Sequence, residues 1–195
     1  ERIYTYATQK ITTFKVPNSD KKILLAGTAL NVIELKNGDV KLKEDGSARD
    51  EIEHIDCSVL FQSRLHPEYL YIGTREGLVW EKYKPANGKN WQHIDHILEG
   101  IEVTSIEEDS KGNIWCATSK GVVKMSPDGK NITTYDEESG IPSYYMLTIK
   151  NMDGNLLFLT PDGMYEFDES LEQFDVSTYF GEFSSDTTFG TLDIK

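Results

Sequence analysis

The chain has 195 residues, of which 38% are hydrophobic and 11% aromatic, enough apolar surface for a packed core and too much for a disordered polymer. It carries 33 Asp and Glu against 20 Lys and Arg, a net charge of −13, the wrong sign for nucleic acid or for an anionic membrane surface. No apolar run approaches the roughly 18 residues that span a bilayer, so no membrane contact is expected of this segment.

The chain begins at Glu1 without Met, and reads as a processed or excised segment. Ile3–Tyr6 reads as an outer strand and Ile11–Val16 as the inner strand of a first full unit. Four stretches then align: ILLAGTALNVIEL, YLYIGTREGLVWE, NIWCATSKGVVKM and NLLFLTPDGMYEF. Each has an apolar run, a Thr, two variable residues, a Gly or Asn, and a second apolar or alternating run. Thr28, Thr74, Thr118 and Thr160 lie 46, 44 and 42 residues apart. A period in the low forties is the length of one four-stranded propeller blade.

Three residues after each Thr stand Asn31, Gly77, Gly121 and Gly163. A tight hairpin needs positive φ near that point, which Gly adopts freely and Asn tolerates best among the others. Apolar runs such as Leu70-Tyr71-Ile72 and Ile114-Trp115-Cys116 suit strands covered on both faces. A strand after a polar turn is expected at Asp39–Lys43, Trp91–Ile94, Ile132–Tyr135 and Leu171–Phe174. A strand leading into the next repeat is expected at Val103–Glu107 and Met146–Lys150. Asn37-Gly38, Asn87-Gly88, Lys111-Gly112, Asp128-Gly129 and Asp153-Gly154 punctuate the strands as turns. Thr188–Ile194 starts another inner strand.

The expected fold is therefore all-β: four-stranded antiparallel propeller blades over about 11–50, 51–98, 99–141 and 142–180, with 1–10 and 181–195 as strands of adjoining blades. Chance hairpins in a β-sandwich would seldom repeat four times in register. Four blades and two extra strands form a partial propeller, so its edges call for the remaining blades of the same propeller or for a second chain.

Asp109-Ser-Lys-Gly112-Asn-Ile-Trp115-Cys-Ala-Thr118-Ser-Lys-Gly121-Val resembles the two-component regulator propeller repeat, whose pattern is Asp-x-x-Gly-Asn-hydrophobic-Trp-hydrophobic-Gly-Thr-x-x-Gly-hydrophobic. Ala117 stands where that family usually has Gly. The second repeat keeps Gly73-Thr74 and Gly77 with Tyr71 in place of Trp. The fourth keeps Gly154-Asn155, Thr160 and Gly163 with Leu157 in place of Trp and Leu159 in place of Gly. The first keeps Gly27-Thr28. Gly140-Ile-Pro-Ser143 resembles the segment that joins blades in this family. The resemblance implies a periplasmic or extracellular sensor segment of a membrane-anchored hybrid histidine kinase, with an oligosaccharide as small-molecule ligand and no catalysis in the segment itself. The same fold also admits a protein-interaction scaffold of a cell surface or secretion system, or a propeller lyase or glycosidase.

The chemistry-bearing residues are few. Cys57 and Cys116 are too far apart in sequence for a zinc site, and Cys116 reads as a buried thiol. His54, His66, His93 and His96 read as surface or turn residues. No P-loop, dinucleotide fingerprint, nucleophile elbow or calcium loop is present, so no cofactor, metal or catalytic residue is expected. The turns after each Thr share an end with the connectors between sheets. That end places Arg75, Glu76 and Lys120 beside His96, Tyr144 and Tyr145. Arg75, Lys120, Tyr144 and Tyr145 are the expected ligand-binding residues, because aromatic faces stack on sugar rings and cationic groups donate to their hydroxyls. Trp80, Trp91 and Trp115 are expected in the core.

Overall fold

A computed structural model describes residues 8–28, 32–36, 39–40, 50–52, 56–86, 89–142 and 146–179. The chain forms two compact units, 1–103 and 104–195. All described strands pair antiparallel with their sheet neighbours. The one described helix is a single 3₁₀ turn, Glu137–Ser139. The sequence segments Ile3–Tyr6 and Thr188–Ile194, the turn residue Asn31, and the turns Asn37-Gly38 and Asn87-Gly88 lie outside the described residues.

The first unit holds two sheets. In the first, β1 (Thr8–Lys15), β2 (Lys22–Thr28) and β3 (Val32–Lys36) run in chain order. The fourth position, expected as one strand over Asp39–Lys43, of which 41–43 lie outside the described residues, holds two described strands. β4 (Asp39–Val40) pairs with one end of β3 through Leu35 and Lys36, and β5 (Asp50–Ile52) with the other through Val32 and Ile33. One strand thus takes two short partners on one edge, and this sheet has five strands rather than four.

The second sheet is β6 (Cys57–Gln62), β7 (Tyr69–Thr74), β8 (Gly77–Ala86) and β9 (Lys89–Ile97). The register of β8 and β9 shifts at Trp80/Glu81 and at Tyr83/Ala86, and the outer strand is longer than the expected Trp91–Ile94 at both ends. Phe14, Leu25, Leu60, Leu70 and Ile72 from both sheets share one core, with Tyr83 and Trp91 packed against it. Gly27 allows that closeness: a Cβ there would stand 2.2 Å from the Cys57 sulfur. The inner strands β1 and β6 are joined by side chain rather than by a ladder. The Gln62 amide accepts from Lys15 N at 2.8 Å and donates to Lys15 O at 2.7 Å.

The second unit repeats the plan. Its third sheet is β10 (Val103–Glu108, whose first residue ends the first unit), β11 (Ile114–Thr118), β12 (Gly121–Met125) and β13 (Ile132–Tyr135). Its fourth is β14 (Thr148–Met152), β15 (Asn155–Thr160), β16 (Gly163–Asp168) and β17 (Gln173–Val176). Two expected strands slip by two residues: β14 starts at Thr148 rather than Met146, and β17 at Gln173 rather than Leu171. Asp168 Oδ1 accepts from the backbone N–H of Ser170 and Leu171, which holds those residues in the turn. Inner strands again meet through side chains. The Ser105 hydroxyl donates to Ile149 O at 3.4 Å and accepts from Ile149 N at 3.1 Å, and Asn151 Nδ2 donates to Glu108 O at 3.2 Å. Such bonds satisfy backbone groups that a divergent pair of strands leaves without a ladder partner.

The repeated Thr has a physical reason. Each side-chain hydroxyl accepts from the N–H two residues on and donates to the C=O three residues on. The donated bonds are Thr74 to Gly77 at 2.9 Å, Thr118 to Gly121 at 2.8 Å and Thr160 to Gly163 at 3.3 Å. The accepted bonds come from Glu76, Lys120 and Asp162 at 3.0, 3.1 and 3.2 Å. All three threonines are buried. The expected positive φ is present at each Gly: 142° at Gly77, 123° at Gly121 and 149° at Gly163. The two residues before each Gly keep ordinary φ, so the reversal is completed at the glycine itself.

Space separates two of these glycines. A Cβ on Gly121 would lie 2.2 Å from Tyr135 O, whereas on Gly163 its nearest neighbour would be 3.7 Å away. Gly163→Ala should therefore cost about 1 kcal/mol, from backbone strain alone. Gly121→Ala should cost at least about 2 kcal/mol, because the outer strand must also move. Urea denaturation of the two variants checks the order; equal losses would remove the packing role of Gly121.

Candidate functional site

Arg75 stands on the exposed turn between β7 and β8. Its Nε lies 3.3 Å from Asp56 Oδ2, on the chain just before β6. His96 lies in β9 rather than in a connector, and it covers the same turn: a Cβ on Gly77 would come within 2.7 Å of its Nε2. His93 also lies in β9, where Nδ1 is 2.8 Å from Glu81 Oε1. Burial pushes the Glu81 carboxyl up from its usual range, and the His93 hydrogen bond offsets part of that rise. Both histidines are exposed, as expected, and both are strand residues, because β9 runs on to Ile97.

Lys120 occupies the corresponding turn of the third sheet, exposed, with its N–H on Thr118. Arg75 and Lys120 belong to different units. Tyr144, Tyr145 and His54 lie outside the described residues. Among the described residues, no group of three or more His, Cys, Asp or Glu could hold a metal ion. Both cysteines are free and buried, and burial pushes each thiol up to about 12. Trp80 and Trp115 are buried, and Trp91 is half-buried against the first core.

The second unit holds a feature that the sequence reading missed. Asp109, after β10, is the node of its loop. Oδ1 accepts from Lys111 N and Asn113 N, both at 2.9 Å. Oδ2 accepts from Asn113 Nδ2 at 2.8 Å and from Trp115 Nε1 at 3.0 Å. Gly112, at φ 83°, lets the loop turn within this cradle. Burial raises the Asp109 pKa, but the bonds from Trp115, Asn113 and Lys111 outweigh it and hold the carboxyl below the usual range. The Asp, Gly, Asn and Trp of the repeat are thus one hydrogen-bonded unit.

Trp115 then carries the core between the two sheets. It stacks on Tyr135 at 6.0 Å between centroids, and Phe158 and Phe167 meet it edge-on at 5.5 and 4.9 Å. Lys124 Nζ sits 4.9 Å from the Trp115 ring centre and 5.5 Å from that of Phe167. It also lies 3.7 Å from Glu169 Oε1, while Lys111 Nζ pairs with Glu169 Oε2. That bond and Lys124 hold the Glu169 carboxyl below its usual range.

Between the walls is an open cavity of about 330 Å³. The loop at Asp109 and Lys111 forms one side. The turn before Asn155 forms another, its Asp153 and Gly154 both at positive φ as a type I′ turn requires. Glu166, Phe167 and Glu169 complete it. The cavity lies at the Ile114 end of β11, whereas Lys120 lies past the Thr118 end. The structure therefore offers a concave site away from the turns that the sequence nominated. The sequence holds its residues, but the packing of β11 against the neighbouring sheet is invisible in it.

This architecture of four-stranded, repeat-related antiparallel sheets is that of β-propeller blades. Residues 97–120 match the family profile described as Two component regulator propeller, and the third sheet carries that repeat. Over 149 residues the chain is 26% identical to "Histidine kinase P4" of Formosa agariphila, covering 73% of this chain and 10% of that protein. It is similar in structure to the extracellular domain of a protein described as a hybrid two component system of B. thetaiotaomicron, with TM-score 0.63, 19% identity, and coverage of 96% of this chain and 25% of the other. A second extracellular domain from B. thetaiotaomicron, described as a one component system, gives TM-score 0.61 at 14% identity over 94% of this chain and 23% of the other. The chain spans about a tenth of the curated relative and about a quarter of these solved structures. No described helix is long and apolar enough to cross a membrane.

The Asp109 node has a pH signature. A carboxyl whose folded pKa lies below its unfolded value of about 3.9 stabilises the fold above that pH and loses the contribution as pH falls through the folded value. Asp109→Asn should destabilise the protein at pH 7 by about 1–3 kcal/mol. Its deficit against the wild type should shrink below about pH 4. Urea midpoints at pH 7 and pH 3 test this; a deficit that does not change with pH would mean the charge is irrelevant.

Proposed function

We propose that this chain is a ligand-sensing propeller segment of an extracytoplasmic receptor in a two-component system, and that its ligand is an oligosaccharide. The observation that carries the reading is the third repeat, where the Asp109 node with Asn113 and Trp115 lies within the match to the two component regulator propeller profile and the Thr118–Gly121 clip closes its hairpin. The similarity to a histidine kinase supports it. So does the structural similarity to extracellular domains described as those of a hybrid two component system and of a one component system. Sensing requires only that ligand bind one arrangement of the receptor better than another, so no bond of the ligand need break. The ligand-facing residues in this reading are Arg75 and Lys120 with Tyr144 and Tyr145. Stacking and hydrogen bonds to a neutral sugar would make affinity nearly independent of salt.

Calorimetry of the full-length gene product against an oligosaccharide panel, with product analysis, tests this. Binding without cleavage, weakened about tenfold by Arg75→Ala or Lys120→Ala, is expected. Cleavage of any sugar would overturn the sensor reading in favour of a lyase or glycosidase. Silence across the panel would overturn the oligosaccharide and leave a protein-interaction scaffold as the better account.

A further inference from the structure

We propose that the cavity between the third and fourth sheets is a binding site for a single neutral, polyhydroxylated six-membered ring, entered past the Lys111–Glu169 ion pair. It is independent of the reading above, since none of its residues belongs to the turns of Arg75 and Lys120. Its volume of about 330 Å³ falls at the low end of the range for small-molecule sites, which suits one ring and not an extended chain.

The lining divides by what each group has left to offer. The Asp109 carboxylate already accepts four hydrogen bonds and is structural. Trp115 and Phe158 are 2% and 0% exposed, and back the cavity without presenting a face. The accessible apolar surface is Phe167 and Leu156, both half-buried. The accessible polar groups are Ser110, Asn155, Lys111, Glu169 and Glu166, whose Oε1 already accepts from the Ser177 hydroxyl at 2.5 Å.

That set has carboxylates to accept from hydroxyls, an amide and an ammonium to donate to ring and hydroxyl oxygens, and an apolar patch for the C–H face. Hydroxyl-to-carboxylate bonds are charge-assisted, and are stronger than neutral ones. Charge selects the class. Asp109, Glu166 and Glu169 outnumber Lys111, with Lys124 beside Glu169, so an anionic ring meets a net negative lining. A purely cationic ligand would compete with Lys124 for the Trp115 and Phe167 faces that it already occupies. Lys111 and Glu169 come from the loops of different sheets, so the pair bridges the mouth, and both side chains are solvent-accessible enough to part.

A ligand of about a dozen heavy atoms at ordinary efficiency gives a Kd on the order of 1 mM. Saturation-transfer NMR titration of the full-length gene product with methyl β-glucopyranoside, methyl α-mannopyranoside, methyl β-galactopyranoside and myo-inositol measures it. At least one of these should bind near that value. Asn155→Ala and Lys111→Met, both at exposed positions outside the core, should each weaken binding about 5- to 10-fold while circular dichroism shows an unchanged fold. Lys130→Ala, on a turn that does not line the cavity, should change nothing. Absence of binding by all four probes at about ten times that concentration overturns the proposal, as does tighter binding of glucuronate than of any neutral ring. Loss of pyranoside binding in Arg75→Ala but not in Asn155→Ala would also overturn it, by placing the ring on the turns. Failure here with oligosaccharide binding intact would leave the sensor reading standing.

Discussion

A buried threonine hydroxyl that donates and accepts at once closes the central hairpin of each of the last three sheets. The geometry leaves little freedom. The hydroxyl must reach an N–H two residues ahead and a C=O three residues ahead, which only a side chain as short as Thr or Ser does from that position. Because the group is buried, removing it would leave two backbone partners without water to replace it. The hairpin in turn sets the register of its two strands, and a one-residue slip would move every apolar side chain to the opposite face. The blade cores on both faces therefore depend on this small clip, and so does the position of each residue on the exposed turn.

A second constraint operates at the other end of β11. Asp109 spends its whole acceptor capacity on one loop and one indole, so the loop conformation and the orientation of Trp115 are a single arrangement. Trp115 then fixes the aromatic cluster with Tyr135, Phe158 and Phe167. The cavity is what remains between that cluster and the loops above it. Its Asp109 side is held by the repeat motif itself, in which each residue bonds another.

The charge of −13 does not act as a uniform field at the local scale. Several of the cations are committed to carboxylates: Arg75 to Asp56, Lys111 and Lys124 to Glu169, and Lys130 to Asp128. Exposed pairs of this kind add little stability individually. Their consequence is for the cavity, where Lys111 and Lys124 already face Glu169 and a neutral polar ligand loses least.

The sequence alone determined the strand plan. A Thr-x-x-Gly kernel recurring every forty-odd residues, with apolar runs before it, requires antiparallel hairpins, because hydrogen bonding and φ at Gly121 are local properties of four residues. The roles of Trp115 as core and of Cys116 as a buried thiol were legible for the same reason. The two-part outer edge of the first sheet was not, since β5 reaches β3 across a long insertion that leaves no periodic signal. His96 reads as a connector residue because nothing in composition marks that β9 runs on to Ile97. The cavity needed the tertiary structure most. Lys111 and Glu169 are 58 residues apart, and they meet only because Trp115 and Phe167 pack two sheets together, a contact between faces that no spacing along one chain encodes.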